Sequence, residues 1–207
     1  MAAFVNMRQA RQTHGGVVDW NTLREVASAG YSDGIMCLAA IETVERSNRP
    51  SVIGPLNEAE AGLAAKLLID SALVRVHLYV VRAFSPVRKD DLHLRAAVNF
   101  LRDYSAKEPD QMQRAHLDEA IRLFDKADSD SRLTTLKHMR DKQLAHWANP
   151  TPGVPLPLYN ELFEFTRRTC EIWERLSFGA GTVMIPLETQ VEAYRNSADA
   201  FWGRWEK

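Results

Sequence analysis

The sequence predicts an all-α fold, and three observations carry that reading. Apolar residues recur at helical spacing in nearly every segment, while period-two alternation is nowhere sustained beyond a few residues. Turn signals such as Asn48-Arg49-Pro50 and Ser85-Pro86 close the periodic stretches. The chain's 207 residues suit one large domain, which buries roughly 70–75% of the surface its unfolded chain exposes and needs no disulfide staple.

Residues 1–31 read as a loose arm holding a short helix. The first convincing helix runs from about Ser32 to Ser47 and stops at Asn48-Arg49-Pro50. A second opens at Asn57, with Glu60 in the capping-box position, and carries Leu63, Leu67, Val74, Leu78 and Val81 on one stripe up to Ser85-Pro86. At about 1.5 Å per residue that helix spans roughly 40 Å, the length of a whole domain, which makes it the expected central packing element.

A shorter helix is expected from about Asp90 to Tyr104. The next, from about Pro109 to Ala127, sets Leu117, Ala120, Ile121 and Phe124 on one face. Asp128-Ser129-Asp130 then offers an N-cap cluster for a helix from about Ser131 to His146, which ends before a Pro-rich loop at 148–158. Two more amphipathic helices follow. One carries Leu158, Leu162, Phe165, Ile172 and Leu176 and stops at Gly179, and the other carries Leu187, Val191, Tyr194, Ala198 and Phe201. Neither a repeat nor a second domain is visible, so a single domain over 1–207 is expected.

Composition narrows the function classes. The hydrophobic fraction of 45% and charged fraction of 26% belong to an ordinary globular chain. With 26 basic and 27 acidic residues the net charge is -1, so no global field drives nucleic-acid or membrane binding, and any RNA contact must come from a local patch. Cys37 and Cys170 fit no metal-ligand spacing and fall in amphipathic stretches, as buried free thiols would. The first residues, MAAFVNMRQARQTHGG, lack the apolar run of a secretory signal, so a cytoplasmic location is expected. Leu67 to Phe84 is interrupted by Asp70, Arg75, His77 and Arg82, too many polar groups for a membrane span. No phosphate-binding glycine loop, nucleophile elbow or di-iron ligand set is present. His77 reads as a packed helix histidine, His14 and His93 as exposed ones, and Trp202 and Trp205 as core residues of the last helix.

The segment His138-Met139-Arg140-Asp141-Lys142-Gln143-Leu144-Ala145-His146 carries the functional argument. Arg8 and His14, Arg88 and His93, and Arg132 and His138 satisfy the same loose Arg-to-His spacing. Arg140 and His146 differ in context: Asp141 follows the arginine, Ala145 precedes the histidine, and a Pro-rich loop comes next. At about 100° per residue, Leu133, Leu136, Arg140, Leu144 and Trp147 share one stripe. A guanidinium in an apolar face must be paired or line a groove.

RDKQLAH resembles the motif of the HEPN superfamily, in particular its abortive-infection-associated, AbiU-like branch. That resemblance implies a HEPN-like helical bundle with extra C-terminal helices. It also implies a toxin or defence endoribonuclease, working as a homodimer at a cleft, without metal or other cofactor, on an RNA substrate and under a cognate antitoxin. In such an enzyme the RNA 2′-OH is the nucleophile, His146 moves the proton, Arg140 holds the phosphate, and Asp141 orients His146 or pairs with Arg140. Lys137 and Lys142 would neutralise neighbouring phosphates. Asp141 can instead satisfy Lys137 or Lys142 at helix-neighbour spacing. On a regular α-helix His146 lies about 120° around the axis from Arg140 and roughly 9 Å along it. The pair therefore needs either an unwound last turn or two subunits facing each other, and the resemblance implies the second. The competing expectation is a non-catalytic helical dimer that binds a protein or RNA partner, with Arg140 in an ion pair to another helix.

Overall fold

A computed structural model describes residues 19–88, 91–104, 109–144, 149 and 151–206. Among these residues there is no strand, and the all-α expectation holds.

Helix α1 (Trp20–Ser47) starts well inside the expected loose arm. Asp19 caps it, its Oδ1 accepting from the Thr22 amide at 2.7 Å, and Leu23, Val26, Ala27 and Tyr31 are already core residues. Gly30 and Gly34 weaken the helical signal, and packing explains why they are there. A Cβ on Gly30 would lie 2.3 Å from the Trp173 ring, and one on Gly34 would lie 3.1 Å from the Tyr79 hydroxyl. The two glycines let helix axes approach. Residues 1–18 of that arm lie outside the described residues.

The long helix expected from Asn57 begins at Gly62 as α3 (Gly62–Ala83), and an unexpected separate helix, α2 (Pro50–Glu58), precedes it. Pro50 opens α2 at a position where no amide hydrogen is needed. Asn57 and Glu60 belong to the end of α2 rather than to the start of α3. Glu60 takes a left-handed φ of 57°, Ala61 N donates to Leu56 O at 2.9 Å, and Glu60 N donates to Asn57 O at 3.1 Å. That is a Schellman C-terminus built without glycine.

The face of α3 expected to form the core is largely solvent-exposed: Leu63 is 85% exposed, Leu67 69%, Leu78 45% and Val74 39%. Of that stripe only Val81 is buried, and the core is made instead by Ala65, Val76, Tyr79 and Val80. α3 is apolar on two sides, and hydrophobic periodicity cannot say which side the rest of the chain will cover.

Helices α4 (Leu94–Asp103), α5 (Gln111–Asp128) and α6 (Ser131–Met139) follow. Asp110 and Gln113 form a reciprocal capping box at the start of α5. A π-helical turn, Arg140–Leu144, extends α6. The described residues between 149 and 158 carry no helix and lead into α7 (Tyr159–Gly179). Helix α8 (Leu187–Trp202) and a 3₁₀ turn, Gly203–Trp205, end the described chain.

α1, α3, α5 and α7 surround the main core. At its centre Phe84 stacks on Phe124 at 5.1 Å and meets the edge of Phe165 at 5.5 Å. Cys37 and Cys170 are buried and unpaired, and burial pushes the Cys37 thiol up to about 12. A smaller cluster of Val52, Leu56, Ala65, Ala198 and Trp202 joins α2 and α8 to α3. Leu187, Val191 and Ala198 of α8 face inward as expected. Trp202 is buried, as its reading as a core residue expects, whereas Tyr194 and Phe201 of the expected face are exposed. Arg46 of α1 reaches Asp199 of α8 at 2.6 Å and fixes that register.

Candidate functional site

α6 is placed by its first residues. Asp130 Oδ1 accepts from the Arg132 amide at 3.0 Å, and the Arg132 guanidinium, with Arg168 adding to it, holds the Asp130 carboxyl down at about 2. Leu133 and Leu136 then face the core. Leu136 O accepts from His77 Nε2 at 2.7 Å, so His77 carries its proton on Nε2, and its Nδ1 has no partner among the described residues. Burial lowers the His77 pKa. The Leu136 hydrogen bond opposes that shift, and the Arg140 cation reinforces it. A neutral imidazole from α3 thus supports the last turn of α6, within the field of Arg140.

At Arg140 the backbone leaves α geometry for the π turn. Such turns close hydrogen bonds from i to i+5 and are found frequently at functional sites. The Arg140 side chain is 32% exposed rather than buried under an apolar face, and it pairs with the adjacent Asp141. Nε donates to Asp141 Oδ1 at 2.6 Å, and Nη2 faces the same oxygen. Asp141 therefore aligns the guanidinium. The readings in which Asp141 satisfies Lys137 or Lys142, or in which Arg140 pairs with a carboxylate of another helix, do not describe the contact seen.

Lys137 is half-buried, and burial lowers its ammonium pKa. Asp128 opposes the shift, while Arg95 and Arg140 add to it. Lys142, on the π turn, is also half-buried. Arg95 is a neighbour that sequence reasoning missed. It holds Asp128 through both terminal nitrogens, donates to Ser85 O and Phe84 O at 3.1 Å each, and lies 5.3 Å from the centre of the Phe124 ring. No local motif marks Arg95 or His77; only the folded chain brings them beside α6. Arg95, Lys137 and Arg140 act on one another across the end of α6, with Asp128 paired to Arg95 and Asp141 to Arg140.

His146 lies outside the described residues, as do Ala145 and Trp147. Both flanks of its segment are anchored. Leu136 is tied to His77 before it, and after it Thr151 N donates to His138 Nε2 at 3.2 Å, returning the chain to α6. The count that sets His146 about 120° from Arg140 assumes regular α-helix. Regular helix ends at Met139.

His93, expected at the surface, is buried with its Nε2 3.5 Å from Asp91 Oδ2, and burial lowers its pKa while Asp91 opposes the shift. His14 lies outside the described residues. Among the described residues no group of three or more His, Cys, Asp or Glu side chains is arranged to hold a metal ion. Nor is any helix among them long and apolar enough to cross a membrane.

Compared with known families, residues 23–201 match the family model for AbiU2 in the HEPN group. No curated protein and no solved structure matches.

Proposed function

The chain belongs to the AbiU2 family of HEPN proteins, and on that footing we propose that it is a metal-independent endoribonuclease of the toxin or defence type. It acts through Arg140 and His146 beside a cleft between two copies, and a cognate antitoxin restrains it. The observation that carries the reading is the half-exposed Arg140 guanidinium on a π turn, paired with Asp141 and close enough to Lys137 for the two charges to act on each other.

In the proposed reaction the RNA 2′-OH attacks the adjacent phosphorus, the P–O5′ bond breaks, and a 2′,3′-cyclic phosphate and a 5′-OH result. His146 takes the 2′-OH proton, and one proton returns to the leaving oxygen, a contribution of roughly 10²- to 10⁴-fold. Arg140 donates to the non-bridging phosphate oxygens, where charge builds up in the transition state. Lys137 and Lys142 hold the flanking phosphates. The non-catalytic alternative required Arg140 to tie two helices together. A partner one residue away, in a half-exposed setting, gives it no such task.

Purified chain is incubated with total and synthetic RNA in EDTA, alongside the His146→Ala and Arg140→Gln variants. Wild type is expected to cleave, and each variant to cleave at least about 100-fold more slowly with an unchanged melting temperature. Cleavage retained by His146→Ala, or absent from wild type, would overturn the reading.

A further inference from the structure

From Arg132 to Leu144 the chain holds no proline, glycine or serine, so nothing in this stretch breaks a helix by itself, yet regular helix ends at Met139. Departures of that kind arise where a side chain enters the ladder of backbone hydrogen bonds. His77 of α3 makes such an entry. Its Nε2 donates at 2.7 Å to Leu136 O, the carbonyl that a regular helix gives to the amide four residues on. That amide belongs to Arg140, and it is shared between Leu136 O and Lys137 O. The π turn begins at the same residue.

Packing alone does not account for His77. The ring is 1% exposed, and its α3 neighbours Val76, Val80 and Val81 are all core residues. A leucine would fill the place without a polar atom, whereas the imidazole keeps a buried Nδ1 with no partner among the described residues. Buried polar groups are as a rule hydrogen-bonded, and one left without a partner weakens the fold. Leu136 O does not need the donor either, since the Arg140 amide already reaches it. What the imidazole supplies, and leucine does not, is a donor without charge. A lysine or arginine could donate to the same oxygen, but it would set a second cation beside Arg140, which lies near enough to act on the ring.

We propose that His77 is the positioning residue of the candidate site: by taking a share of Leu136 O it releases the end of α6 into the π turn and so turns the Arg140 guanidinium outward. Continued as regular helix, α6 would carry Arg140 onto the stripe of Leu133 and Leu136, both buried. On the π turn it is 32% exposed and paired with Asp141. His77 itself is sealed from solvent and meets neither substrate nor reacting atoms; it acts through Arg140. The phosphate that Arg140 would hold rests on the ribonuclease reading, while the placing of Arg140 by His77 does not.

Two variants separate this role from packing. His77→Leu fills the volume and donates nothing, and His77→Gln offers an uncharged N–H at about the reach of the imidazole Nε2. The first readout needs no RNA: the rate at which phenylglyoxal modifies Arg140, followed by peptide mass spectrometry, with exposed Arg204 as the internal reference. Wild type and His77→Gln are expected to react alike at Arg140, and His77→Leu to lose most of that reactivity while melting at or above wild type. In RNA cleavage, His77→Leu should be about 100-fold slower in kcat, the effect of misplacing a catalytic group by about 1 Å, and His77→Gln should recover most of the rate. Equal modification of Arg140 in all three proteins, failure of glutamine to restore it, or a His77→Leu variant that melts well below wild type would overturn the inference. A wild type that cleaves no RNA would remove the ribonuclease reading and leave the modification result to decide this one.

Discussion

Replacing Gly30 by Ala tests the closest helix contact in the structure. The added Cβ would sit 2.3 Å from Cδ2 and Cε3 of Trp173 and 2.5 Å from Cζ3. Ordinary carbon contacts lie at about 3.5–4.0 Å, so more than about 1 Å must be found by moving the ring or separating the helices. Trp173 is buried in the main core, so the ring cannot swing away without losing that burial. Overpacking of this kind costs about 1–3 kcal/mol. Ala regains up to about 1 kcal/mol over Gly inside a helix. The net expectation is a loss of about 1–2 kcal/mol, a fall of roughly 2–8 °C in melting temperature for a domain of this size. Gly203→Ala is the control. Its φ of -59° is helical, and nothing lies within 4 Å of its Cβ, so it should gain up to about 1 kcal/mol. Thermal and urea unfolding of the three proteins would refute the reasoning if Gly30→Ala melted at or above wild type.

Two further expectations concern groups around the site. Arg95→Met strips the partner from Asp128, Phe84 O and Ser85 O at once. Breaking a fully buried pair costs about 3–5 kcal/mol, and the partial exposure of this one reduces the expected loss to about 2 kcal/mol, read by urea unfolding; a loss under about 0.5 kcal/mol would show that Arg95 does not brace α4 against α5. Stability should also fall with acid in two stages. His77 and His93 have lowered folded pKa values, so the unfolded chain takes up protons first and stability declines as pH drops below the ordinary histidine value near 6.5. Asp130, held at about 2 against the ordinary aspartate value of 3.8, contributes stability that is present above the latter and lost as pH falls towards the former. A urea midpoint constant between pH 7.5 and 5 would contradict the histidine part, and substituting His93 by Gln should flatten that stage.

The α-helical class, the start of α6 and the inward face of α7 could be read from periodicity and caps because local and tertiary signals agree there. Asp130 caps α6 where an N-cap cluster was visible, and Leu162, Phe165, Ile172 and Leu176 all point inward from α7. The misread elements share a physical cause, in that one residue type serves opposite ends. Asn57 and Glu60 imitate an N-terminal box while closing α2 as a C-terminal motif. Gly30 and Gly34 imitate a break while serving close packing inside α1. Only the partner side chains, Trp173 and Tyr79, separate the two meanings, and they lie far away in sequence.

The same limit explains what happened at Arg140. Wheel arithmetic put it among Leu133 and Leu136 on a buried face, which would have demanded a distant carboxylate. The arithmetic holds only while the helix stays regular, and the backbone widens at that residue, so the guanidinium emerges beside Asp141 instead. Periodicity failed on α3 for the complementary reason. There the backbone is regular and both faces are apolar, and the stripe with the larger leucines is the one left uncovered. A helix that spends its largest apolar side chains on an open face gains nothing from them as a monomer.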